Sequence, residues 1–275
     1  MKKGILKKLL SLTVTGVMAL SLVACGGKGN NVAKDKFDQI KEDKKLIVGL
    51  SADYAPYEFH AIINGKDETV GFDIELAKEI AKDMDVELEI KEMDFDALLS
   101  ALKAEQIDLV ISGMNADEER KKQIDFSDIY YEAQHGVLVN AKDKDKFNKI
   151  EDLNGKKIGA QLGSTQQKIA EEQVNNADTQ FLANVNNLIL ELKNGKIECL
   201  ILEEPVAKMA MKSNPELELS NVKFESDGGG SAIGIKKGSP KLVEQVNKTI
   251  KRLKNSGDLD KFIIEANDLA AKNVE

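Results

Sequence analysis

The chain has no tryptophan, only four prolines, two cysteines and two histidines, and aromatic residues make up 5% of it. Each shortage excludes something. The two histidines, His60 in a loop and His135 on a strand, provide no zinc-ligand spacing. No phosphate-cradling glycine loop is present, and no nucleophile stands beside an evident base. Basic charge is also short: the net charge of −8 argues against nucleic acid, which needs a basic face. Arginine occurs twice, as Arg120 and Arg252. What is abundant is lysine and glutamate interspersed along helical stretches, the pattern of a solvated surface.

The N-terminus has a character of its own. Lys2, Lys3, Lys7 and Lys8 precede an uncharged apolar run from Leu9 to Val23, and small residues then flank Cys25. A basic head, a short apolar core and a small-residue cleavage site make a secretory signal. Leu22-Val23-Ala24-Cys25 resembles a bacterial lipoprotein box, in which the cysteine is acylated and becomes the mature N-terminus. The alternative is an uncleaved anchor, but the run falls below the roughly 20 residues of a spanning helix. With Cys25 used for lipid, only Cys199 remains. It lies in the apolar run Cys199-Leu200-Ile201-Leu202, where a buried inert thiol is expected and no internal disulfide can form.

Residues 1–24 are therefore expected to be a signal peptide and residues 25–44 a lipidated N-terminus and linker, with a short helix possible within 35–44. Beyond this the pattern is α/β. Leu46 to Leu50 is a continuous apolar run of strand length, followed by a loop holding Asp53 to Phe59 and the turn signal Asn64-Gly65. Phe72, Leu76, Ala77, Ile80 and Ala81 recur at helical spacing. Val86 to Ile90 and Asp108 to Ile111 read as strands around a helix carrying Leu98, Leu99 and Leu102. The rhythm then restarts: Gln134 to Asn140 is a strand, Ala141 to Asn148 a charged loop, Lys157 to Ala160 a strand, Gln166 to Val174 a helix, Leu188 to Leu192 helical and Leu200 to Leu202 a strand. After Gly228-Gly229-Gly230 a strand spans Ala232 to Ile235. A helix burying Val243, Val246, Ile250 and Leu253 and a last one around Phe262 end the chain. Two α/β units are expected, with ligands beyond the carboxyl ends of the strands.

Tyr54-Ala55-Pro56-Tyr57-Glu58-Phe59, Val70 to Ile74, Asp94 to Leu98, Glu119-Arg120, Asp125-Phe126-Ser127, Gly163-Ser164-Thr165-Gln166 and Glu203-Glu204-Pro205 follow one another in an order and spacing that resembles the polar amino-acid solute-binding proteins of ABC importers. The resemblance covers nearly everything from Leu46 onward. It implies a two-lobed periplasmic-binding-protein-like fold of type II with two hinge strands. Residues 45–135 and 224–275 would form lobe 1 and 136–223 lobe 2. It also implies capture of a free amino acid, delivery to a permease with its ATPase subunits, a monomer, and no cofactor, metal or catalytic group.

An amino acid presents a carboxylate, an ammonium and a side chain, and the chain offers partners for each. Arg120, just after the helix cap Asp117, stands at the family's carboxylate-binding position, where a guanidinium makes two parallel bonds. Ser164 and Thr165 open a helix that offers N–H and hydroxyl groups to the same carboxylate from the second lobe, although capping alone would also explain them. Glu203 matches the family's partner for the α-ammonium, with Ser112 and the carbonyl of Gly113 completing that cage, while Glu204 reads as a solvated charge. Tyr54 and Phe95 match positions that sandwich the ligand's side chain. Many binders of basic amino acids carry aspartate where this chain has Ser51, for which Asp53 is a candidate substitute, and Asn115 and Asp117 replace common serine and threonine. Gln161, near the side-chain pocket, is a neutral donor and acceptor and tilts the expectation toward a ligand such as glutamine. A basic amino-acid binder is the alternative. Because Arg120 and Glu203 come from different lobes, ligand should bridge them and favour hinge closure. With Glu203 as a conceivable base, an enzyme resembling the related dehydratases is a more distant alternative, as is a tethered sensor without a transport partner.

Overall fold

The computed structural model describes residues 34–224 and 230–272. The expected signal segment, Cys25, Gly228 and Gly229 lie outside the described residues.

Two five-stranded sheets organise the chain. The first runs in the order Glu87–Glu92, Lys45–Leu50, Leu109–Val110, Gly234–Ile235, Asp125–Phe126. Its first three strands are parallel, and Gly234–Ile235 is antiparallel to both of its neighbours. Leu46, Val48 and Leu50 are fully buried, each contributing on the order of 2 kcal/mol of apolar burial. The helix Phe72–Asp83 turns Phe72, Leu76, Ala77, Ile80 and Ala81 inward, and acidic Asp73 and Glu75 in its first turn suit the positive end of its dipole. The C-terminal helices Pro240–Ser256 and Asp258–Lys272 pack on it. Leu242 is buried with Val246, Ile250 and Leu253, whereas the expected core residue Val243 is only half-buried at the edge of that stripe.

The second sheet has the order Asp178–Leu182, Lys157–Gln161, Cys199–Glu203, His135–Asn140, Leu217–Leu219. The first three strands are again parallel, and His135–Asn140 is antiparallel to both neighbours. Cys199 lies wholly buried in this sheet, and burial pushes its thiol well above the ordinary value. The chain crosses between the sheets twice, after Asp125–Phe126 and after Leu217–Leu219. The two crossings are tied together where Ser231 N–H donates to the Tyr131 carbonyl at 2.8 Å and Tyr130 N–H to that of Ser231 at 2.9 Å.

Two stretches differ from expectation. The helix held possible within 35–44 is present as Lys36–Asp43, capped by Asp35, but it is packed on the first unit rather than part of a free linker. Ile40 is buried, Lys36 pairs with Asp108 at 2.9 Å, and the Lys241 N–H reaches Asp35 at 3.0 Å. This helix belongs to the first α/β unit: Ile40, Phe37 and cross-links to Met84, Asp108 and Lys241 hold a short, highly charged sequence that lacks a conspicuous apolar stripe. The turn Asn64-Gly65 joins the strands Glu58–Ile63 and Lys66–Val70, a hairpin extended by Asp53–Tyr54, where the sequence suggests a loop. Lys66, Asp67 and Glu68 are exposed, so the second strand lacks the apolar signature of the others.

Candidate ligand-binding site

The carboxyl ends of the central strands in the two sheets face one another. Strand Lys45–Leu50 leads into Ser51 to Tyr54, and Leu109–Val110 leads into Ser112 to Asn115. From the other side, Lys157–Gln161 leads through Gly163 to the helix Thr165–Glu172, and Cys199–Glu203 ends on its acid. One cleft is lined by Ser51, Tyr54, Phe95, Ser112, Gly113, Asn115, Gln161, Ser164 and Thr165, together with Asp53, Glu58 and Gln166. Arg120 and Glu203 are bonded to its walls, as follows.

Arg120 is 4% exposed and lies in the first turn of the short helix Glu118–Gln123, whose cap Asp117 accepts its N–H at 2.8 Å. Its guanidinium donates to the Asn115 carbonyl and, across the cleft, to the Gly163 carbonyl, both at 2.9 Å. It stands 5.5 Å over the Phe95 ring. Ser164 caps the opposing helix by accepting the Gln167 N–H at 3.1 Å, and the buried Thr165 hydroxyl has no hydrogen-bond partner. A guanidinium, a helix start and an unsatisfied hydroxyl form a site suited to a carboxylate.

Glu203, 1% exposed, accepts from the Tyr57 hydroxyl and from Asn115 Nδ2, the latter at 3.1 Å. Its backbone N–H donates to the Tyr54 hydroxyl at 3.3 Å, and Gln166 donates to the same oxygen at 3.2 Å. Burial, then the Glu203 charge, pushes both tyrosines well above their ordinary pKa. All four tyrosines of the chain, Tyr54, Tyr57, Tyr130 and Tyr131, join Phe72 in one aromatic cluster under this corner of the cleft. Glu204, by contrast, pairs with Lys208 and Lys223 on the surface.

Three acids at the site carry more than the sequence indicates. Asp53 accepts from Ser51 Oγ at 3.0 Å, from Gln161 at 3.5 Å and, across the cleft, from the Val185 N–H at 2.6 Å, where it meets the start of the helix Val185–Lys193. Burial raises its pKa despite these bonds. Glu58 accepts from Ser112 Oγ at 2.6 Å. Asp73 accepts from the Gly113 N–H at 2.8 Å and the Tyr130 hydroxyl at 2.9 Å. Both are 0% exposed, and burial raises both. Glu58 stands inside a matched fragment between Tyr57 and Phe59, and that flanking is the available signal for a buried acid. Gln166 likewise lies within a matched fragment.

No helix among the described residues is long and apolar enough to cross a membrane, and no cluster of three or more metal-ligating side chains occurs among them. The sequence profile of the bacterial extracellular solute-binding proteins, family 3, matches residues 46–265. The chain belongs to this family. The solute-binding protein is 39% identical to the arginine-binding extracellular protein ArtP of Bacillus subtilis over 262 residues, 94% of this chain and 96% of the relative. It is 34% identical to a probable histidine-binding protein of Campylobacter jejuni, over 94% of this chain and 98% of that one. Among solved structures it superposes with a TM-score of 0.83 and 41% identity on an amino-acid ABC transporter substrate-binding protein of Streptococcus pneumoniae bound to L-arginine, covering 85% of this chain and 99% of that chain. The two-sheet architecture of the solute-binding protein is thus the two-lobed one of amino-acid-binding relatives.

Proposed function

We propose that the protein captures a cationic amino acid, L-arginine foremost, outside the cytoplasmic membrane and delivers it to an ABC permease. The observation that carries this reading is the acids of the cleft: Asp53 lines it and Glu203 is bonded to its wall, opposite the guanidinium of Arg120. The α-carboxylate is assigned to Arg120, Ser164 and Thr165, and the α-ammonium to Glu203 with Ser112 and the Gly113 carbonyl. The ligand's aliphatic stem lies between Tyr54 and Phe95, with Asn115 orienting Glu203. Ser51 does not leave that corner neutral, because its hydroxyl holds the Asp53 carboxylate 3.0 Å away. With Gln161 on the same acid, the pocket suits a positive side-chain terminus better than the neutral amide inferred from Ser51 and Gln161 alone. The arginine- and histidine-binding relatives support a basic ligand.

In this reading residues 45–135 and 224–275 form one lobe and residues 136–223 the other, and the ligand bridges them. Cys25 carries the lipid that tethers a monomer to the extracytoplasmic face of the membrane. Glu203 is occupied by Tyr57 and Asn115, an arrangement for holding an ammonium rather than removing a proton, so the protein is assigned no catalytic role. Calorimetry of protein freed of carried-over ligand tests the assignment: arginine should bind at micromolar Kd or tighter, with glutamine at least tenfold weaker. Tighter binding of glutamine than of arginine overturns it.

A further inference from the structure

We infer that the binding site continues past Asp53 into a second, apolar cavity, so that the protein accepts arginine-like ligands whose guanidinium carries an apolar substituent on a terminal nitrogen. The inference rests on the reading of the ligand as a cationic amino acid with its side-chain charge at Asp53.

The second cavity has a volume of about 430 Å³. Ala52, Ala55 and Phe59 form its wall on the first-sheet side, and Ile189, Met209 and Ala210 face them from the helices Val185–Lys193 and Glu204–Ser213. Phe59 and Met209 belong to one apolar cluster, which joins the two walls. Along the extended stretch after Leu50, Ser51 lines the ligand cleft, Ala52 lines the second cavity, and Asp53 lines both. The partition between the two spaces is therefore one side chain thick.

The oxygens of Asp53 divide in the same way. Oδ1 accepts from the Ser51 hydroxyl at 3.0 Å and from Gln161 at 3.5 Å, and both groups belong to the cleft. Oδ2 accepts from the Val185 N–H at 2.6 Å, and Val185 lines the second cavity. That bond is the short contact joining the partition to the second-sheet side. A guanidinium seated on Asp53 presents two parallel N–H groups to the two oxygens, and the one at Oδ2 takes the place of Val185. The nitrogen bearing it then stands at the edge of the second cavity. An unsubstituted guanidinium leaves the space beyond to water, whereas a substituent on that nitrogen enters it.

The walls select the substituent. They are mainly aliphatic, and no lysine or arginine lines them. His60, the other titratable group there, is held between Asp67 at 3.1 Å and Glu92 at 3.0 Å. A hydrocarbon group gains by leaving water in such a space. An anionic group would meet the Asp53 carboxylate in a poorly hydrated setting and is rejected.

The experiment is calorimetry of L-arginine and of Nω-propyl-L-arginine, which keeps the positive charge, on protein freed of carried-over ligand. In the wild type the propyl compound should bind within tenfold of arginine. Ala210→Phe places bulk in the second cavity away from Asp53, and should weaken the propyl compound at least tenfold more than it weakens arginine. If that variant does not fold, Ile189→Trp replaces it with the same expectation, and if neither folds the wild-type comparison decides. Wild-type binding of the propyl compound more than tenfold weaker than arginine overturns the inference while leaving the ligand assignment standing. An unchanged ratio of the two affinities in a folded variant overturns it too, since the substituent then lies elsewhere. No arginine binding by folded wild-type protein removes the ligand assignment, and the inference with it.

Discussion

The two sides of the cleft are built differently. On the first-sheet side the polar groups are bonded among themselves: Ser112 to Glu58, Gly113 and Tyr130 to Asp73, and Arg120 to the carbonyl of Asn115. On the second-sheet side Ser164 and Gln161 also bond to carbonyls of their own side, but most groups at the cleft reach across it. Gly163 meets Arg120, Gln166 meets Tyr54, Glu203 meets Tyr57 and Asn115, Val185 meets Asp53, and Lys168 meets Asp117. One side is a platform braced within itself and the other a clasp that makes most of its cleft contacts across the gap. In the proposed hinge closure, such a division would keep the recognising geometry fixed and leave the hinge to set the population of the closed state.

Substitutions can break or sharpen that contrast. Arg120→Ala removes the platform's cation together with a clasp contact. Losing a buried charged partner costs about 3 kcal/mol or more, so arginine affinity should fall at least a hundredfold by calorimetry. The melting temperature should stay close to wild type, and retained affinity would remove Arg120 from the site. Glycine-to-alanine changes separate the two sides directly. Gly71, at φ +129, would place a Cβ 2.0 Å from the Tyr57 carbonyl oxygen within the platform, so Gly71→Ala should lower unfolding free energy by about 3 kcal/mol, read by denaturant titration. Gly163, at φ +76, would place its Cβ 2.9 Å from the Asp96 Cβ on the opposite side. Gly163→Ala should therefore weaken ligand binding about tenfold while costing only about 1–2 kcal/mol for an unfavourable backbone conformation.

The smallest effect belongs to the rim. Lys168 pairs with Asp117 across the cleft at 2.8 Å with its side chain 38% exposed, and Lys168→Ala should weaken binding by no more than about fivefold, as expected of a partly exposed pair. Burial works upward on Asp117, but the Lys168 bond, the Arg120 N–H and the Arg120 charge together hold it below its ordinary value. The pair's contribution is thus complete above that value and is lost as pH falls through the lower, folded one. Ligand titrations from about pH 5 downward should show the wild type converging on the Lys168→Ala variant.

Legibility in the sequence follows the same division of labour. Strands such as Leu46 to Leu50 and the helix with Leu76 and Ile80 declare themselves, because a buried segment must be apolar at a fixed period. Residues whose chemistry suits a ligand, such as Arg120, Ser164 and Glu203, stand in recognisable fragments at strand ends. What stays hidden depends on distant packing. Glu58 lies in a strand where an isolated charge reads as solvent-facing, and only the helix Phe72–Asp83 and the Ser112 loop bury it. Asp53 reads only as a stand-in for Ser51, since nothing local indicates that it reaches the start of a helix at Val185. The helix Lys36–Asp43 is highly charged and is recognisable as packed only beside Asp108 and Lys241.

The aromatic cluster has an optical consequence. A chain without tryptophan emits through its tyrosines, and here all of them sit in one patch, with the Tyr57 hydroxyl hydrogen-bonded to a carboxylate across the cleft. A carboxylate acceptor quenches a phenol's emission, so opening the cleft uncouples Tyr57 from Glu203 and should brighten the protein. Conformational exchange can then be followed by stopped-flow in the unlabelled molecule, with no dye to perturb it.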